Sequence, residues 1–151
     1  MSGGGENYWK LAQHDEFNDR TSLENWSAEH EVDNCHGNFI DQISCNHEKN
    51  VALKQGYLIL EAHHENYANF KYTSAQVTSK STFSYGRLEV RLAQPVGSHI
   101  RTSVFTFNRN DTYWHENGQI DVASKVQEKY LYRGVHFANS RDQYEAVNYE
   151  G

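Results

Sequence analysis

The sequence predicts an all-β protein, an antiparallel sandwich, on three observations. Apolar residues recur with period two in short runs, turn-forming residues separate those runs, and no stretch carries a capped helical stripe. Taken in order, Val51 to Ala62 holds two short apolar runs around Lys54-Gln55-Gly56, which signals a hairpin. Leu88, Val90 and Leu92 alternate with Arg87, Glu89 and Arg91, the pattern of a half-buried strand. Val104 and Thr106 alternate with Phe105 and Phe107, and Ile120 and Val122 alternate with Gln119, Asp121 and Ala123. Leu131, Arg133, Val135 and Phe137 alternate with Tyr130, Tyr132, Gly134 and His136. Turn signals fall at Ser84-Tyr85-Gly86, Pro95-Val96-Gly97, Asn108 to Asp111 and Glu116-Asn117-Gly118. Asp15 to Leu23 is polar and turn-like.

A chain of 151 residues suits one domain, residues 8–151, after a flexible leader at residues 1–7 that includes Gly3-Gly4-Gly5. Ten Tyr, seven Phe and three Trp suit aromatic sheet faces or a surface that stacks on flat ligands. The net charge of −6, without any basic tract, argues against nucleic acid, which needs a clustered positive footprint. No apolar run is long enough to span a bilayer, so no membrane partner is expected. Cys35 and Cys45 flank a turn-rich segment, which fits one local disulfide in an oxidising compartment or two free thiols in a reducing one. We adopt the disulfide, and with it a secreted or extracellular location. Nine histidines raise a metal question, but His30, His63-His64 and His115 lack recognised zinc spacing, so no metal is expected.

Four blocks, in order, resemble glycoside hydrolase family 16. Trp9-Lys10-Leu11-Ala12-Gln13-His14-Asp15-Glu16-Phe17-Asn18 resembles the family opening W-x-L-x-W-x-D-E-F-N, and Leu23-Glu24-Asn25-Trp26 follows at the expected distance. Asn50 to Ala62 is similar to the hairpin N-V-x-V-x-D-G-x-L-x-I-x-A. Tyr72 to Lys80 and Phe83 to Arg91 are similar to the Y-T-S-A-x-x-x-T-K and F-x-Y-G-R-x-E-x-R of laminarinases and β-1,3-glucan-recognition proteins. The resemblance implies a concanavalin A-like jelly-roll β-sandwich whose concave sheet binds a β-glucan or galactan chain. It also implies further strands beyond Gly151. The sandwich is therefore shortened, incomplete, or completed by a second copy or partner chain, and we expect the last, as a homo-oligomer.

The family's catalytic signature W-P-x-S-G-E-I-D-I-M-E reads here Trp114-His115-Glu116-Asn117-Gly118-Gln119-Ile120-Asp121-Val122-Ala123-Ser124. By the resemblance, Gln119 stands where the nucleophile glutamate belongs and Ser124 where the acid/base belongs, while Asp121 keeps the position that orients the nucleophile. A retaining glycosidase needs two carboxyl groups roughly 5 Å apart, one ionised and one protonated. An amide cannot supply the carboxylate nucleophile, and a hydroxyl has no pKa near neutrality for general acid work. Strict alternation would turn Ala123 toward the site and Ser124 away, whereas a β-bulge would return position 124 to it. Glu116, His115 and His136 are candidate stand-ins, read by default as ordinary turn and sheet residues.

The sugar platform also differs. His99, Arg101 and Phe105 occupy the stretch where the family carries stacking tryptophans, and Arg101 is suited to a carboxylate or sulfate as well as to plain surface. A structural calcium, implied by the resemblance at Glu16, lacks its second ligand in this chain, so no cofactor is expected. The expected function is a non-catalytic, glucanase-like pseudoenzyme that binds polysaccharide or oligosaccharide through Arg87, His99, Arg101, Phe105, Tyr113, Trp114, Gln119, Asp121 and His136. The alternatives are a self-assembling structural sandwich without a sugar ligand, and a glycosidase with relocated catalytic groups.

Overall fold

In the computed structural model the chain is described over residues 9–31, 35, 43–97, 99–108, 118–125, 131–138 and 144–150, and over 144–150 for its backbone. These residues form strands and two short 3-10 segments, as period-two patterning predicts. They fall into two compact units, residues 1–83 and 84–151, each described by itself. The leader expected at residues 1–7 lies outside the described residues.

The first unit opens with a 3-10 segment, Arg20–Asn25, in the polar stretch read as turn-like. Asp19 caps it by accepting the Thr21 N–H at 2.8 Å, which satisfies one of the amides a helix start leaves unpaired. Strand β1 (Trp26–Ala28) follows and pairs antiparallel with β7 (Val77–Ser79). Trp26 is held from its polar edge, its Nε1 donating to Asp15 Oδ2 at 3.1 Å. The second 3-10 turn, Glu48–Asn50, separates β2 (Ser44–Asn46) from β3 (Val51–Lys54).

The predicted hairpin is present. Strand β3 pairs with β4 (Tyr57–Leu60) in the register Val51↔Leu60 to Lys54↔Tyr57, closed by Gln55-Gly56. Both turn residues have positive φ, 54° and 75°, as a two-residue turn of the twist-matching kind requires. Gln55 accepts the left-handed conformation there, and the glycine takes the second position at no steric cost. Strands β5 (His63–Tyr67) and β6 (Phe70–Ser74) pair antiparallel, and β2 joins β6 in parallel.

The centre of this unit is polar. Asn50 is 1% exposed and Thr73 fully buried, and both are satisfied. Asn50 Nδ2 donates to Thr73 Oγ1 at 2.9 Å and to the Ser74 carbonyl at 3.1 Å, while its own carbonyl accepts the Glu61 N–H at 2.9 Å. Ser74 Oγ donates to Asn46 Oδ1 at 2.9 Å, and the Thr73 hydroxyl donates to Glu65. That hydroxyl, and then Lys49, hold the Glu65 carboxyl below its ordinary value. Polar groups at this depth are tolerated only because each has a partner. The Cys35–Cys45 disulfide, with Cα atoms 5.1 Å apart, ties this network to the chain preceding β2.

The second unit carries one four-stranded antiparallel sheet, in the order β11-β10-β9-β8. Its strands are β8 (Thr102–Phe107), β9 (Gln119–Lys125), β10 (Leu131–Ala138) and β11 (Tyr144–Glu150). The first three match the predicted alternations. The segment from Arg87 to Leu92 does not. Among the described residues it pairs with no strand, and Leu88, Val90 and Leu92 are 45%, 43% and 43% exposed. Alternation qualifies a segment for a sheet, but a strand also needs a neighbour to take its backbone hydrogen bonds.

Two outcomes check this account. Asn50→Ala should lower the unfolding free energy by about 1–2 kcal/mol, since it removes two hydrogen bonds from the buried network while Thr73 keeps Glu65 and the Ser74 carbonyl keeps the His47 N–H. Reducing the disulfide, which closes a sequence separation of 10, should cost about 2–3 kcal/mol. Urea titrations of the variant, and of the wild type with and without dithiothreitol, read both.

Candidate functional site

The side chains singled out by the catalytic signature meet on one face of the second unit's sheet. Strand β9 is preceded by Gly118, whose φ of 78° and approach to the His136 carbonyl, 3.3 Å from an added Cβ, both favour glycine. The strand then runs straight through Gln119, Ile120 and Asp121. Against β8 the register is Phe107↔Gln119, Thr106↔Ile120 and Phe105↔Asp121, then jumps to Val104↔Ala123 and Ser103↔Ser124. Against β10 it jumps from Gly134↔Asp121 to Tyr132↔Ser124. Val122 is therefore the extra residue of a β-bulge.

The bulge decides which residues share a face. Without it Ser124 would oppose Asp121 across the sheet, since neighbours alternate sides. With it, Gln119, Asp121 and Ser124 line one face with Ser103, Phe105 and Phe107 from β8 and Tyr132, Gly134 and His136 from β10. Ala123 goes to the other side with Val104. Of the two arrangements left open by the sequence, the structure takes the bulged one.

Asp121 is the hub. It is 8% exposed. Gln119 Nε2 donates to its Oδ1 at 2.6 Å, and His136 Nε2 lies 3.0 Å from its Oδ2. Each carboxylate oxygen thus has a neighbour, which a buried anion requires. The pairing fixes the Gln119 amide with its nitrogen toward Asp121, so its carbonyl oxygen is the end that remains an acceptor. Arg101 lies close enough for the Asp121 charge to favour its charged form, while desolvation acts first and leaves the guanidinium below its ordinary value. Ser124, 2% exposed, meets Ser103 hydroxyl to hydroxyl at 3.2 Å. Phe105 lies against Phe107 with ring centroids 5.7 Å apart, an aromatic edge beside the polar cluster.

Of the predicted site residues, Gln119, Asp121, His136, Arg101, Phe105 and Ser124 are brought together. Arg87 is exposed and pairs with Glu89 two residues along, not with this cluster. His99 is exposed, with a φ of 67°. Tyr113 and Trp114, with His115 and Glu116, lie outside the described residues. Sequence reasoning missed Ser103, Phe107 and Tyr132. A signal for the first two was present, because they share the parity of Arg101 and Phe105.

Among the described residues the one group of three potential ligands is Glu31 with Cys35 and Cys45, whose sulfurs are spent in the disulfide. Glu16 is exposed and belongs to no such group.

An Asp121→Ala substitution should cost about 1–3 kcal/mol of stability by leaving Gln119 and His136 without their acceptor. Asp121→Asn should cost less, because it keeps one oxygen acceptor. Thermal and urea midpoints of the two variants, side by side, test the ranking.

No family model matches the chain. Three relatives are similar in sequence. A β-glucanase of Rhodothermus marinus is 34% identical over 84 residues, which is 52% of this chain and 29% of that protein. A glucan endo-1,3-beta-glucosidase of Cryptopygus antarcticus is 27% identical over 124 residues, 76% of this chain and 45% of the relative. The clotting factor G alpha subunit of Tachypleus tridentatus is 29% identical over 118 residues, 75% of this chain and 17% of the relative. The crystal structure of the laminarinase from Rhodothermus marinus matches with a TM-score of 0.75 and 25% identity, covering 95% of this chain and 62% of that one. The chain thus spans less than half of each of these sequence relatives and under two thirds of the laminarinase. The strands correspond to those of a laminarinase jelly roll, as the sequence blocks implied. By sequence and by fold, the chain is related to the laminarinase-type β-glucanases of glycoside hydrolase family 16.

Proposed function

We propose that this chain binds β-glucan or a related polysaccharide without cleaving it. The observation that carries the reading is the pairing of Gln119 with Asp121 on a face where Ser124 is hydrogen-bonded to Ser103. Cleavage with retention needs an ionised carboxylate and a protonated partner roughly 5 Å away. Among the described side chains of this sheet face, Asp121 is the one carboxylate, and its oxygens already face Gln119 and His136. What the face offers instead is a row of hydrogen-bonding groups, Gln119, Ser124, Ser103 and Tyr132, beside the Phe105–Phe107 edge. Such a row suits sugar hydroxyls flanking the apolar face of a pyranose. The glucan-directed names of the relatives favour the same ligand class.

A second reading is favoured by one contact. His136 lies 3.0 Å from Asp121, and a histidine oriented by a carboxylate can carry a proton in catalysis. In that case the protein is a glycosidase with relocated groups. Assembly with a further chain is a separate proposal, supported by Ile120 and Val135, 52% and 40% exposed on the opposite sheet face.

Affinity electrophoresis on laminarin, curdlan and a sulfated galactan should show retardation of the wild type, and Phe105→Ala should weaken it. Reducing-end assays on the same preparation should stay at background. Turnover that disappears in His136→Ala would establish the second reading, and no retardation on any of the three polymers would sink the first. Light scattering decides whether the particle holds more than one chain.

A further inference from the structure

In the first unit, far along the chain from Asp121, a histidine performs a task that only its neutral form can perform. His47 caps the 3-10 turn Glu48–Asn50, its Nδ1 accepting the Lys49 backbone N–H at 3.2 Å. A neutral imidazole accepting at Nδ1 carries its hydrogen on Nε2, and protonation converts both nitrogens into donors. The capped turn is also where the buried network is anchored. His47 donates its backbone N–H to Ser74 and accepts from Asn50 N–H, both at 3.0 Å, and Asn50 then reaches Thr73, Ser74 and Glu61.

The same ring sits against a second imidazole. His30, from the segment after β1, meets His47 edge to face with centroids 4.6 Å apart, and Tyr67 of β5 packs on His47 at 4.7 Å. The titratable and charged groups facing His47 are Lys49 and Glu48 on its own turn, His30 beyond β1, and Glu65 and Tyr67 on β5. Lys49 is itself bound to Glu65 at 2.9 Å.

We propose that His30 and His47 form a proton-operated latch, in which uptake of a proton by His47 removes the cap from Glu48–Asn50 and loosens the junction of β2, β3 and β6. A proton on Nδ1 points at the Lys49 N–H, so two donors face each other and the capping bond is lost. The His30 ring stands at ring-contact distance, so a charge on it opposes a charge on His47. Partial desolvation, then the charges of Lys49 and His30, hold His47 below the ordinary histidine value, against the opposing pull of Glu48 and Glu65. With the folded value below the unfolded one, the stability this group contributes is complete above about pH 6.5 and is lost as pH falls through the folded value.

Histidine-ring and backbone NMR on the intact protein, from pH 8 to pH 4.5, tests the latch. The His47 ring should show the Nε2–H tautomer at high pH and titrate below about 6.5. The Lys49 and Asn50 amides should shift with the same midpoint. His30→Gln should move that midpoint upward. His47→Asn keeps a capping oxygen without a titrating group. It should leave both amides flat across the window and make the thermal midpoint fall less between pH 7.5 and pH 5 than in the wild type. Titration of His47 at or above the free value overturns the proposal. So does an unmoved midpoint in His30→Gln, or Lys49 and Asn50 amides that ignore the His47 midpoint.

Discussion

One extra residue in β9 sets the chemistry of the sheet face. Val122 is inserted between Asp121 and Ala123, and everything after it changes sides relative to a regular strand. Had the strand continued its alternation, Ala123 would stand beside Asp121 and the site would end in a methyl group. Because it does not, the hydroxyl of Ser124 reaches the row that holds Gln119, Asp121 and His136. The bulge thus presents a hydroxyl group, where the regular strand would present a methyl group.

Retention of Asp121 follows from that geometry by electrostatics. A carboxylate this deep, without its partners, would pay heavily in desolvation. The amide at position 119 donates where a glutamate at the same position could only repel or share a proton. Glutamine at position 119 therefore forms a donor and acceptor pair with Asp121, where two carboxyl groups would compete. His136 then takes the second oxygen from the neighbouring strand, which Gly118 allows to approach. A locked donor–acceptor row is a good binder of hydroxyl groups, since its members are held in place before the ligand arrives.

Much of this was legible in the residues. The hairpin at Gln55-Gly56 could be read because a two-residue turn needs positive φ, and the strands β8, β9 and β10 because their alternation is local. The Cys35–Cys45 bond was one of two readings, disulfide or free thiols, that the short spacing around turn residues allowed. The bulge was legible only as an alternative, because its presence depends on registers with two neighbouring strands and not on the sequence of β9 alone. Arg87 to Leu92 misled for a related reason: its pattern is that of a strand, and the pattern contains no information on whether a partner is beside it. The partnership of Gln119 with Asp121 needed only parity to foresee. That of His136 with Asp121 needed the offset between β9 and β10, which no single segment encodes.

The two units hold their polar interiors in different ways, and this bears on how the protein responds to its surroundings. In the sheet of the second unit, the buried acid is met by an amide and an imidazole, and the loss of either leaves the other in place. In the first unit, Asn50, Thr73 and Ser74 depend on a single turn whose cap is a titrating ring. A backbone amide or a serine in that capping role would be indifferent to pH between neutrality and mild acid, whereas an imidazole is not. Sensitivity to protons therefore enters the first unit at its anchoring turn, while the hydrogen-bonding row of the second stays built from amide and hydroxyl groups that do not titrate in that range.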